Sequence, residues 1–218
     1  MLNKLQQQLE AIYEIDTRLQ VTDFLITDPA VASHYDNGPA GRTCPEKLLL
    51  SQTDDTLAVA LYLDAGIVTH LEQNDPLADL HDGNIHQFWV ALEGISHFLY
   101  LCWNAGYERE VSLFELELQA EVDKFVSVLL LLDEQVDSRL LKRILSGLFL
   151  ESGFHQGLTQ QEQRRYRLAN RYAYRFCSRL LVNWLEKRSR QWLMNVVRRF
   201  YRLTQHYKLR YIRQAFVS

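Results

Sequence analysis

The stretch "TQQEQRRYRLANRYAYRFCSRLLVNWLEK", residues 159–187, decides the fold class. Thr159 with Glu162 three positions on makes a capping box: the threonine hydroxyl accepts from the third amide and the glutamate returns to the first. Behind that start, Tyr166, Ala169, Ala173, Phe176, Cys177, Leu180 and Trp184 recur on one side of a helix of about 3.6 residues per turn. The opposite side carries Arg164, Arg167, Arg171, Arg175 and Arg179, one per turn, and no carboxylate stands between Glu162 and Glu186. An exposed helical face normally alternates Glu with Lys or Arg, because like charges one turn apart repel by about 0.2–0.5 kcal/mol per pair.

Helical periodicity extends in both directions. Leu2, Leu5, Leu9, Ile12, Ile15 and Leu19 predict a first amphipathic helix of about five turns. Further helices are predicted at 67–73, 84–104, 111–133, 137–151 and 160–187, with a last one over 190–216. Gly153 and Gly157 punctuate the chain before the capping box, and "HYDNGPAGRTCPE" (34–46) reads as a loop. One segment breaks the helical pattern: Leu57, Val59, Leu61 and Leu63 alternate with Thr56, Ala58, Ala60 and Tyr62, as a strand requires. With "LLLSQ" before the Thr53-Asp54-Asp55 turn, it predicts a β-hairpin over about 48–63, the only strand signal found. The expectation is a mainly α, bundle-like single domain with one small hairpin and a long C-terminal helical pair.

Composition agrees with a globular chain. Of 218 residues, 47% are hydrophobic and 23% charged. No apolar run approaches the roughly 18–20 residues of a membrane span, and the N-terminus lacks the pattern of a secretory signal. A cytoplasmic protein without membrane contact is expected. Cys44, Cys102 and Cys177 are scattered, which disfavours a disulfide framework and a thiolate zinc site. The net charge of −3 conceals an asymmetry. Residues 159–218 hold 15 Lys and Arg against Glu162 and Glu186, and residues 1–158 hold 9 basic and 25 acidic groups. Acidic 1–158 and basic 159–218 read as the two parts of one compact domain.

Two constellations suggest function. The Arg/Tyr-rich C-terminal surface, Arg164, Arg167, Arg171, Arg175 and Arg179 with Arg198 and Arg202 of the last helix, suits nucleic-acid phosphate or an acidic protein partner, since guanidinium forks grip both anions. Carboxylates in a second copy would satisfy the same arginines, so a homo-oligomer is predicted, with Glu110, Glu115, Glu117, Glu121, Asp133, Glu134 and Asp137 receiving the basic helices. Trp192 and Tyr201 are its candidate anchors. The leading expectation is a non-enzymatic binding or regulatory protein.

The second constellation is a polar stripe of His86, Glu93, His97, Tyr100 and Asn104 on an otherwise apolar helix. An antiparallel neighbour would bring Glu117 and Glu121 opposite Glu93 and His97, a donor set for a divalent metal or for acid–base work. No other cofactor is suggested. The spacing Glu93-x-x-x-His97, repeated at Glu151 and His155, departs from the Glu-x-x-His of di-iron bundles, and a structural hydrogen-bond network explains the stripe as well. Finally, Arg199 and His206 in "RFYRLTQH" resemble the Arg-x(4–6)-His pattern of HEPN-type ribonucleases. That resemblance covers eight residues and implies metal-independent RNA cleavage by those two side chains.

Overall fold

The computed structural model describes residues 1–36, 44–53, 56–132, 138–150 and 158–214. The 34–46 loop is described only at its edges; the Asp54-Asp55 turn, Asp133, Glu134, Asp137, Glu151, Gly153, His155 and Gly157 lie outside the described residues. The chain is mainly helical with one small sheet, as expected. Its packing divides it into two units, Met1–Gln8 with Asp16–Arg109 and Leu9–Ile15 with Glu110–Ser218. The charge boundary at 158/159 falls inside the second.

In the first unit the hairpin forms from β2 (Glu46–Thr53) and β3 (Thr56–Leu63), antiparallel from Glu46↔Leu63 to Thr53↔Thr56. A further strand, β1 (Leu25–Ile26), runs parallel to β3 on its other edge. So short a strand has no periodicity to read, which is why the hairpin was the only strand signal. Alternation sorts the faces. Leu49, Ala60 and Tyr62 pack with Ile26 and with Ala32 of α2 (Pro29–Tyr35); Leu61 faces α4 (Ile85–Ala105). Burial along β3 rises from exposed Thr56 and Leu57 to buried Leu61, Tyr62 and Leu63, so helix cover reaches one end of the hairpin only.

Local caps fix the helix starts. Asp28 accepts from Ala30 N before Pro29 opens α2, and Asp64 accepts from Gly66 N at the head of α3 (Ala65–Gln73). Fully buried Asn84 ties the turn ahead of α4, donating to the carbonyls of Asn74 and Asp79 and accepting from His81 N. The α4 helix is apolar around most of its circumference, and Phe88, Ala91, Leu92, Ile95 and Phe98 have no exposed surface. Gly94 lets it approach the sheet: a Cβ there would lie 2.7 Å from Leu61 Cδ1 and 2.8 Å from Glu46 Cγ. Gly94→Ala gains about 1 kcal/mol of helix propensity but overpacks a closed contact at about 1–3 kcal/mol. A lower urea midpoint with unchanged slope is the expected result.

In the second unit, α5 (Leu113–Leu131) is buried along most of its length and packs on α7 (Gln160–Lys187). The capping box at Thr159 and Glu162 is formed. The core face of α7 is also as read, with Ala169, Ala173, Phe176, Cys177, Leu180 and Trp184 buried and Tyr166 half-buried. Helix α6 (Ser138–Phe149) packs against α7.

Two helix lengths differ from expectation. The first helix, α1, ends at Tyr13 rather than near Leu19. Glu14 adopts φ 50° and the amide of Ile15 reaches back to the carbonyl of Glu10, the Schellman ending, with glutamate where glycine is usual. The remaining carbonyls are taken by arginines: Arg198 donates to Ile12 O (2.8 Å) and Ala11 O (3.3 Å), and Arg202 to Tyr13 O (2.9 Å). The last helix is two, α8 (Arg190–Arg202) and α9 (Gln205–Gln214), because Leu203 is extended at ψ 145°. Thr204, a residue favoured at helix starts over interiors, accepts the first α9 bond from Lys208 N.

Candidate functional sites

On α4 the polar stripe passes from exposed His86 through half-buried Glu93 to buried His97, Tyr100 and Asn104. A carboxylate oxygen of Glu93 and a ring nitrogen of His97 lie within 4.8 Å of each other. His97 Nδ1 lies 3.4 Å from Glu46 Oε1, with side chains only 8% and 11% exposed. The opening of β2 against α4 therefore delivers a carboxylate that sequence reasoning missed. Residues 46 and 97 are far apart in the chain, and nothing in "CPEKLLL" marks its glutamate.

The second unit holds Glu117 and Glu121, each with its own cation. Buried Glu117 faces Arg165 of α7 at 3.8 Å, and Glu121 accepts from Lys124 at 3.0 Å. Around the same helix runs a buried polar chain that the sequence did not announce. The Tyr13 hydroxyl donates to Asp123, Gln119 Nε2 donates to Asp123 Oδ1 at 2.7 Å, and Lys208 Nζ donates to Gln119 Oε1. The amide orientation of Gln119 is forced: a carboxylate only accepts and an ammonium only donates. Lys208 is completely buried, with its ammonium 4.9 Å from the Phe200 ring centroid. Tyr13 stacks on Tyr201 at 4.0 Å. Burial, then the Asp123 charge and hydrogen bond, hold the Tyr13 phenol well above its ordinary pKa. Burial, then Glu121 and Asp123, do the same to the Cys177 thiol, and burial pushes Cys102 to about 11, so neither is a reactive thiolate.

Arg198 ion-pairs Glu14 at 2.6 Å and, with Arg202, caps α1; Arg213 donates to the Tyr172 hydroxyl. On α7, Arg164, Arg167, Arg171 and Arg175 are exposed and Arg179 is half-buried. Arg164, Arg167 and Arg171 line an open groove of about 570 Å³ with Gln160, Gln163 and Leu168. Partial burial and then the like charge of Arg175 lower the Arg179 pKa. Arg199 lies 5.5 Å over the Tyr211 ring, and His206 meets Tyr207 edge-on.

No described helix is long and apolar enough to cross a membrane. Comparison with protein-family models, with curated proteins and with solved structures finds no match in any of the three. The residues themselves carry the functional argument.

Proposed function

We propose that the protein binds the phosphate backbone of a nucleic acid along the outer face of α7. The observation that carries this reading is the groove bounded by Arg164, Arg167 and Arg171. From Arg164 to Arg175 the helix rises about 16 Å at about 1.5 Å per residue, room for two or three successive phosphates. Gln160 and Gln163 add neutral donors, and Leu168, 42% exposed, offers an apolar contact for a base or sugar.

The competing occupant is a second copy of the chain. That reading is weakened because Glu115 and Glu117 are buried in their own unit, as is the proposed anchor Tyr201. Fluorescence anisotropy with labelled single-stranded and duplex probes over a salt series tests the proposal. Contact with about two or three phosphates gives a log–log slope of about −1.5 to −3, steeper for duplex. Probe binding that is absent at low salt, or independent of salt, overturns it. Light scattering at low and high salt reads the alternative: an oligomer that dissociates with salt and competes with the probe assigns the face to self-association. Shortening of an RNA probe that Arg199→Ala and His206→Ala abolish would point to the ribonuclease reading.

A further inference from the structure

We infer that His97, Glu93 and Glu46 of the first unit form a site for a first-row divalent cation, of the zinc or cobalt class, independent of the α7 face. Glu46 accepts from the Nδ1 side of His97 at 3.4 Å. A carboxylate on one ring nitrogen fixes the tautomer and raises the basicity of the other, the arrangement that ligating histidines use. Nε2, itself shielded from solvent, then supplies the lone pair. Glu93 stands one turn earlier on the same helix with a carboxylate oxygen within 4.8 Å of the imidazole. Two metal–ligand bonds of about 2.0–2.2 Å each span a separation of that order, so one ion can take a donor from each residue.

The donor set, one imidazole and carboxylate oxygen, suits zinc, cobalt, nickel and manganese over calcium or magnesium. Gly94 keeps the arrangement in register, since it brings Glu46 Cγ against α4. Glu93 is the more exposed ligand, so the ion enters from its side and completes its coordination with water.

Calorimetric titration of chelator-stripped protein with Zn2+, followed by Co2+ absorption, tests the site. One cation per chain is expected, with a melting temperature that climbs with free Zn2+, as ligation of the native state alone requires. His97→Gln should abolish binding and the melting shift. Glu93→Gln should weaken affinity more than tenfold, and Glu46→Gln, which acts through the imidazole, by about 10–100-fold. His86→Ala, an exposed histidine on the same helix, should leave binding intact. Should His97→Gln fail to fold, Glu93→Gln at its half-buried position still decides. Failure of wild type to bind Zn2+ or Co2+, retention in His97→Gln, unchanged affinity in Glu93→Gln, or loss in His86→Ala each overturns the inference.

Discussion

Asp123→Ala and Lys208→Met are each expected to destabilise the protein by about 3–5 kcal/mol, the range for breaking a buried charged pair from one side. Lys208 is fully buried and Asp123 is 1% exposed. Their opposite charges are joined through a single amide, Gln119, which donates to one and accepts from the other. Removing the ammonium leaves the Gln119 carbonyl without that donor and Asp123 without its nearby counter-charge. Removing the carboxylate strands the Tyr13 hydroxyl and the lysine together. Because the second substitution removes what the first leaves uncompensated, the double variant should cost clearly less than the sum. Urea unfolding of the four-member cycle measures this, and strict additivity would show that the chain does not act as a unit. The same network gives an alkaline signature. A phenol held above its ordinary pKa contributes fully below its unfolded value of about 10, and that contribution is lost as the pH rises through its folded value. Stability that falls more steeply in alkali for wild type than for Tyr13→Phe is the expected result.

Arg164→Glu with Arg171→Glu is expected to reduce nucleic-acid affinity by about 10–100-fold at low salt and to flatten the salt slope by about 1.5–2, two phosphate contacts' worth. Both arginines are exposed on the groove of α7. Folding should move the other way. Glutamates at these positions stand three or four residues from Arg167 and Arg175 and turn like-charge neighbours into ion pairs, a gain of a few tenths of a kcal/mol. A binding loss with an equal or higher melting temperature therefore separates contact with the ligand from damage to the helix. Arg210→Glu makes one such charge reversal at an exposed position of α9 and should cost little. An equal loss in Arg210→Glu would mean that diffuse charge, and not the groove, is responsible.

Much of the secondary structure was legible because it is local. A threonine hydroxyl and a glutamate three residues on satisfy helix-start amides wherever they occur, and that signal placed Thr159 and α7. Period-two alternation located the hairpin, and an apolar circumference marked α4 as buried. The misjudged end of α1 was set from elsewhere in the chain. The apolar stripe from Leu2 to Leu19 continues past Tyr13, but α1 stops where Arg198 and Arg202 collect its carbonyls. No window around residue 14 contains those arginines.

For the candidate sites the division is sharper. Sequence alone determined that α7 would bury one face and carry an arginine on every turn of the other, since both follow from helical periodicity. It also placed Glu93 and His97 on one stripe. Only the tertiary structure decided which cations are committed: Arg165 to Glu117, Arg198 to α1, Lys208 into the core beside Gln119. It alone supplied Glu46 to His97. The physical reason is that a charge is recognised in sequence by its type, while its free-energy role depends on solvent access and on partners far away in the chain, 51 residues for Glu46 and His97 and 186 for Arg198 and Ile12. Lysine at position 208 reads as surface by composition, and becomes core because an amide and two aromatic rings are folded around it.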